Sequence, residues 1–189
     1  AMSGKRQLML DILGQGATNG EGSVIVTAND GGSQVYRQYR KVVSDEEAYL
    51  RIIDSVGDGE DSDLEDTIRT CGSPGDLTGI GIEFSQLSKE TKAAGIENVR
   101  VAFDSLSPVL MYVELERLFR FLHVFTRQIQ TKGWMGMFAI DPDSHEAQVT
   151  NTLNQLFDGV LELRAPDDGS REIRSRGFGQ SSSEWVSLD

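Results

Sequence analysis

Ala1-Met2-Ser3-Gly4-Lys5-Arg6-Gln7-Leu8-Met9-Leu10-Asp11-Ile12-Leu13 decides how the chain is read. Leu8, Met9, Ile12 and Leu13 return at helical spacing, so a helix runs from Lys5 to about Ala17. Gly4-Lys5 at its start brings free backbone N–H groups and an ammonium to one point, a combination that attracts anions. The pair forms the back half of the phosphate-binding pattern G-x-x-x-x-G-K-[ST]. The full pattern needs a buried strand and an opening glycine before it, and a hydroxyl after the lysine. That strand and glycine are expected ahead of Ala1, and Arg6 stands where the hydroxyl belongs. A guanidinium has no lone pair for a cation and repels it. Ala1 before Met2 reads as a cloning remnant, with Met2 as the designated start.

Outward from this stretch, strands and helices alternate, which favours an α/β sandwich with a largely parallel sheet. Ser23 to Ala28 reads as a buried strand, Ser33 to Val43 as a short helix, and Tyr49 to Asp54 as a second strand. Thr67 to Thr70 is a candidate third. A helix opens at Asp76-Leu77-Thr78 and runs to about Ala94. Asn98 to Asp104 is a strand that ends in a carboxylate. The longest helix starts at Pro108 and reaches about Thr131, with Leu115, Leu118, Phe119, Leu122 and Phe125 at steps of three and four. Trp134 to Ile140 is continuously apolar and predicts a strand buried on both faces. Asp141-Pro142-Asp143-Ser144 predicts a cap on a helix to about Phe157. Gly159 to Arg164 and Arg171 to Arg176 read as strands joined by a hairpin at Asp167-Asp168-Gly169. The expected organisation is one domain over residues 1–178 and a loosely ordered Ser-rich tail over 179–189. There is no internal repeat.

Composition narrows the function classes. A chain of 189 residues is long enough to bury a substantial core. Its formal net charge of −12 argues against nucleic acid and anionic membrane as partners, since both repel such a surface. Lysine occurs at Lys5, Lys41, Lys89, Lys92 and Lys132, and arginine supplies the other cations. Acid-rich, lysine-poor surfaces suit a salty cytoplasm, where screening makes self-repulsion cheap. The one cysteine, Cys71, cannot form an internal disulfide and reads as a packing residue in a reducing compartment. No apolar run is long enough for a membrane span and no signal peptide is legible, so a cytoplasmic location is expected.

The residues that can carry chemistry are few. Asp104, at the end of a hydrophobic strand and followed by Ser105, has the form of a Mg²⁺-holding Walker B carboxylate or of a helix cap. Gly4-Lys5 and Asp104 in this order favour a nucleotide-binding ancestry. The acidic loop Gly57 to Asp66 lacks the glycine and terminal glutamate spacing of an EF-hand and reads as a solvated loop. Asp141, Asp143, His145 and Glu146 resemble a metal cluster but read first as a capping device. His123 is expected to be packed within its helix. Ser105 and Ser107 have no His/Asp partners for nucleophilic catalysis. Gly14 and Gly16 are expected to permit close packing or a helix end.

Asp104-Ser105-Leu106-Ser107-Pro108, followed by a long Leu/Phe helix, resembles the RecA superfamily in its KaiC-like branch. Phe157 to Arg164 fits that branch's strand before the C-terminal hairpin, and Arg174-Ser175-Arg176-Gly177 is similar to its K-x-R-G element. The nearest resemblance is to haloarchaeal RecA/KaiC-like proteins, some of them transducer-like (HTR-like), over essentially the whole chain. The resemblance implies a RecA-like P-loop NTPase sandwich lacking its first strand, with a C-terminal β-hairpin. It implies ATP and Mg²⁺ as possible but not required ligands, with Gly4, Lys5, Arg6, Asp104 and Ser105 at the nucleotide and Asp104 on Mg²⁺. Asn29-Asp30 fall where relatives carry paired glutamates; Asp30 is the candidate general base, and Asn29 cannot serve. Arg174 and Arg176 either reach a neighbouring subunit's nucleotide or are exposed strand arginines balancing an acidic surface.

In that fold the missing strand lies between the strands at 134–140 and 159–164. Its absence leaves a slot with unpaired backbone groups, to be filled by the tail, by a partner subunit's segment or by closure of its neighbours. Dimerisation or local rearrangement is expected there. Two functions follow as expectations. One is a degenerate regulatory module in signal transduction, working through contacts with a protein partner or with itself. The other is an active ATPase whose true start lies upstream.

Overall fold

The computed structural model describes residues 4–57, 62–166, 170–178 and 184–188. Its centre is β1 (Gly22–Thr27), which is buried along its whole length because both its edges are paired and both its faces are covered. β2 (Leu50–Asp54), β3 (Ile68–Thr70), β4 (Val99–Asp104) and β5 (Met135–Phe138) complete one parallel sheet in the order β3-β2-β1-β4-β5. The register sets Thr27 opposite both Asp54 and Asp104, so strand ends and carboxylates converge on one rim.

Side-chain alternation on the strands builds two cores. On one face Ile25, Ile52 and Ala102 meet Met9, Leu10 and Leu13 of α1 (Lys5–Thr18) and Val35 and Tyr39 of α2 (Gly32–Val42). On the other, Val24, Val26, Ile53, Val101 and Phe103 meet α3 (Leu77–Ala93), α4 (Leu106–Val109) and α5 (Leu115–Thr131). Tilted and edge-on rings carry this core outward: Phe84 to Phe125 at 4.3 Å between centroids, Phe125 to Phe138 at 6.1 Å, and Phe138 to Phe157 at 4.9 Å. Asp76 caps α3 as expected, its side chain accepting from the Gly79 N–H. The fold is the α/β sandwich read from the sequence, with an antiparallel sheet of β6 (Val160–Arg164), β7 (Glu172–Arg176) and β8 (Val186–Ser187) beside it.

Several expectations are corrected. The helix expected from Pro108 is two helices: Ser105 caps α4, and buried Val109 and Val113 turn the chain before α5 begins. Pro108 lies in the first turn of α4, where a missing N–H costs nothing. The helix expected from Asp141 is a 3₁₀ turn at Pro142–Ser144 followed by α6 (Ala147–Asn154), because the Asp141 carboxylate is turned to Lys5 and Ser144. His123 is exposed, since its neighbours Leu122 and Phe125 take the inward face of α5. β5 is not buried on both faces. Met135 is 46% exposed, because no second strand pairs beyond β5 among the described residues.

Of the tail expected over 179–189, residues 186–187 pair with β7, and residues 179–183 and 189 lie outside the described residues. Asp167-Asp168-Gly169, residues 58–61 of the acidic loop, and Ala1 with Met2 also lie outside them. No helix among the described residues is long and apolar enough to cross a membrane.

Arg100 of β4 pins α1 to the sheet. Its guanidinium makes a bidentate pair with Glu21 at 2.7 and 3.0 Å and donates to the Ile12 carbonyl at 2.7 Å. Gly16 leaves room for it: a Cβ there would lie 2.7 Å from the Arg100 Nε. Gly14 likewise lets α2 approach, since its Cβ would meet Val42 at 2.8 Å. The hydrogen bond from Arg100 holds the Glu21 carboxyl below its ordinary 4.5, against a smaller upward push from burial. A carboxyl lowered by folding stabilises the folded state above its unfolded pKa, and that contribution is lost as pH falls through the folded value. Arg100→Met is therefore expected to lower stability at neutral pH by about 1–2 kcal/mol. It should also flatten the loss of stability below about pH 5. Urea unfolding of both proteins across that range checks both effects.

Candidate functional site

The sheet order turns back between β1 and β4: β2 and β3 extend to one side and β5 to the other. In open α/β sheets the crevice at the carboxyl ends of the strands, at such a reversal, is where ligands bind. Here it is lined by the turn after β1, the end of β4 and the first residues of α1.

Each element delivers its side chain for a local reason. Gly4 precedes α1 in the left-handed region, at φ 75°, a conformation that glycine adopts without a Cβ penalty. Lys5 and Arg6 follow in the first turn of α1. Thr27 at the end of β1 donates its hydroxyl to the Asp30 carbonyl at 2.6 Å and closes a tight turn that presents Asp30. Asp104 is the last residue of β4, and the Asp104–Ser105 peptide bond is cis.

The Arg6 guanidinium occupies the crevice. Its Nε and Nη2 each lie 2.5 Å from Asp104 Oδ2, its Nη1 bonds Asp30 Oδ2, and the same Nη1 donates to Gln38 Oε1 at 3.3 Å. The three charged side chains are 15–27% exposed, so the cluster is sheltered without being sealed. Lys5 is engaged as well: Nζ donates to the Ile140 carbonyl at 3.0 Å and lies 3.5 Å from Asp141. Burial pushes the Asp141 carboxyl up, but the charge of Lys5 and a hydrogen bond from Ser144 help to hold it below its ordinary value.

The structure thus brings Arg6, Asp30 and Asp104 together, while Lys5, next to Arg6 in α1, is turned to Ile140 and Asp141. Ser105 acts beside Asp104 as a cap, its hydroxyl accepting from the Ser107 N–H at 3.2 Å. Asn29 is exposed. Arg174 and Arg176 belong to the second sheet: Arg174 bonds Glu162 across the β6–β7 pair, and Arg176 meets the same carboxylate at 3.2 Å. Trp185 carries the Arg164 and Arg174 guanidiniums at 4.2 and 4.6 Å from its ring centroid. No group of three or more His, Cys, Asp or Glu side chains is placed to hold a metal among the described residues, and Asp141, Asp143, His145 and Glu146 form none.

Asp54 was not singled out in the sequence, although it ends a strand as Asp104 does. It is buried, with Oδ2 accepting from the Gly32 N–H at 2.8 Å and Oδ1 from the Val56 and Gly57 N–H groups at 2.8 and 3.1 Å. These bonds hold the start of α2 and the loop after β2 against the rim. The signal was present in Leu50-Arg51-Ile52-Ile53-Asp54, but no neighbouring motif drew attention to it. Cys71 is buried, and burial together with the nearby carboxylates pushes its thiol up to about 12.

The crevice does not fit a Mg²⁺ ion between Asp30 and Asp104. The guanidinium fills that space, and the position after Lys5 offers no hydroxyl ligand.

The chain matches one family model and a number of solved structures. A family model, described as a family of unknown function (DUF7504), matches residues 2–163. The crystal structure of a KaiC-like protein from the hyperthermophilic archaeon Pyrococcus horikoshii OT3 superposes with a TM-score of 0.62 at 16% identity. The match covers 100% of this chain and 81% of that one. The fold of this chain is therefore the RecA-like fold of a KaiC-like protein. No curated protein sequence matches.

Arg6→Ser leaves two carboxylates facing each other with no cation between them. The melting temperature is expected to fall by an amount corresponding to about 1–3 kcal/mol, and millimolar Mg²⁺ should restore part of it in the variant alone. Thermal melts with and without Mg²⁺ check this. Native Cys71 should resist alkylation by iodoacetamide at pH 8 and react once the chain is unfolded in urea, as read by intact mass.

Proposed function

We propose that this chain, which belongs to a family of unknown function (DUF7504), is a degenerate KaiC-like regulatory module. In this reading it works in signal transduction through contacts with a protein partner or with another copy of itself, and it hydrolyses nucleotide weakly or not at all. One observation carries the reading: the Arg6 guanidinium lies between Asp104 and Asp30. Both groups expected to hold Mg²⁺ and to activate water are committed to an internal cation. A general base bonded to a guanidinium must break that bond before it can take a proton.

Lys5 supports the same conclusion. Its ammonium is spent on the Ile140 carbonyl and Asp141, so an incoming phosphate would have to displace both. The fold is compatible with this role, since RecA-like scaffolds host many functions and the site, more than the fold, decides among them. The alternative, a working ATPase with Asp104 on Mg²⁺ and Asp30 as base, needs Arg6 to leave the crevice.

Calorimetric titration with ATP–Mg²⁺ in high salt tests the proposal. The expected result is no saturable heat below about 1 mM nucleotide and no phosphate release above background, with Lys5→Ala indistinguishable from the parent chain. Stoichiometric binding that Lys5→Ala abolishes, accompanied by steady phosphate release, overturns it.

A further inference from the structure

The second sheet has two unlike faces. Cross-strand pairing sets Glu162 opposite Arg174 and Arg164 opposite Glu172, so by alternation these four share one face with Arg176. Leu161, Leu163 and Ile173 share the other, and Leu161 and Leu163 line a cavity of about 380 Å³ between this sheet and β5. The charged face runs against the character of the chain. It sets the guanidiniums of Arg164, Arg174 and Arg176 against the carboxylates of Glu162 and Glu172, on a protein whose formal net charge is −12. Arg164 and Arg176 keep 50% and 57% of their side-chain surface in solvent.

Residues 184–188 lie along the edge of this face on a short pairing. β7 has five residues and β8 has two. Ser187 pairs with Glu172 and Val186 with Ile173, and the Leu188 N–H donates to the Arg171 carbonyl at 2.8 Å. Continued by one step, the same register brings Trp185 to Arg174, and its ring carries the Arg164 and Arg174 guanidiniums at 4.2 and 4.6 Å from the centroid. Val186 is 55% exposed, so it buries little apolar surface. Arg174, Ser175 and Arg176 have no bridge to β8 among the described residues. A two-residue strand with one aromatic anchor has the form of an internal ligand, which shows what the edge accepts and uses part of it.

A sheet edge takes an added strand through main-chain hydrogen bonds, and alternate side chains supply the specificity. An incoming strand in the β8 register places an aromatic residue at Arg174, stacked on two guanidiniums. The residue two positions earlier falls at Arg176. A carboxylate there meets a guanidinium whose described partner, Glu162 at 3.2 Å, is shared with Arg174. In sequence this chain has Ser183 two positions before Trp185, so its own segment brings no carboxylate to that place.

We propose that the edge and arginine face of β7 form a docking site for an extended segment of a partner protein, with an acidic residue two positions before an aromatic one. Residues 184–188 are the strap that occupies the site when no partner is bound. Because the strap is tethered, it acts at a local concentration on the order of millimolar, and the carboxylate at Arg176 is what lets a partner segment displace it. The proposal rests on the reading of the chain as a module that works through protein contacts, and it does not involve the crevice.

Two synthetic peptides serve as probes: residues 182–189 as they stand, Ser-Ser-Glu-Trp-Val-Ser-Leu-Asp, and the same peptide with Ser183→Asp. Each is titrated calorimetrically into the parent chain and into Trp185→Ala and Val186→Pro, which loosen the strap from its own side. Both variants are expected to bind the Ser183→Asp peptide with a Kd below about 100 μM, about ten-fold or more tighter than the parent chain does. They should bind it about five-fold or more tighter than the unaltered peptide. Arg176→Gln in the Trp185→Ala background should remove that preference and leave the affinity for the unaltered peptide unchanged. Equal affinity of parent and variants overturns the proposal, as does absent binding to variants that melt within about 5 °C of the parent. A larger loss of melting temperature in both variants also overturns it, because residues 184–188 are then part of the fold and no strap. So does a concentration-dependent mass of the parent that Trp185→Ala abolishes, which assigns the edge to a second copy's segment. Failure here, with the crevice still silent to ATP–Mg²⁺, removes the docking site and leaves the regulatory reading standing, whereas ATP turnover removes that reading whatever the peptides do.

Discussion

The parallel pairing of β1 with β4 is the constraint on which the remaining structure depends. Gly22 to Thr27 run beside Val99 to Asp104 in register, and both strands are packed from above and below. A shift by one residue would turn Val24, Val26, Val101 and Phe103 away from the aromatic core, so the register is set by the burial of whole faces. That register brings Thr27 level with Asp104, and the Thr27 turn then carries Asp30 to the same rim. Two carboxylates from strands 77 residues apart, counting from Thr27 to Asp104, thereby come within reach of one guanidinium.

α1 is fastened to this sheet at both ends by cations. Arg6 and Lys5 hold its start to the carboxyl rim, and Arg100 reaches up from β4 to hold its middle and end through Ile12 and Glu21. Ion pairs on an exposed surface contribute little, but these are sheltered and multiply bonded. They orient the helix, and its apolar face supplies most of the burial energy. The same contacts explain the character of the crevice. A site that binds an anion with Lys5 or a metal with Asp104 needs those groups free, and the fold spends them on its own cohesion.

The opposite end of the sheet is less complete. Among the described residues β5 is paired along one edge only, and its neighbour across the cavity belongs to a separate antiparallel sheet. The ring contacts from Phe103 through Phe138 to Phe157 bridge the two parts on one side of the gap, so it is walled by packed side chains.

Much of the fold was legible from local pattern. Apolar runs bounded by Gly, Asn or Asp marked β1, β2, β4 and the β6–β7 hairpin, three-four spacing marked α1 and α5, and the start at Asp76 marked α3, because strand and helix periods and helix starts are properties of neighbouring residues. The misread elements were those where distant contacts overrule the local signal. Asp141 looks like a helix cap until Lys5 claims its carboxylate, and Trp134 to Ile140 looks like a central strand, yet among the described residues it pairs with β4 alone. At the site, Lys5 and Asp104 could be chosen from their places beside a helix start and a strand end, and Arg6 could be seen to exclude a metal ligand. That Arg6 bridges Asp30 and Asp104, and that Asp54 holds the start of α2, depended on which strands lie side by side. The sequence by itself determined the elements and the chemical types available at their ends. The tertiary structure alone decided which of those ends meet, because strand order and register set distances between residues that the linear chain keeps far apart.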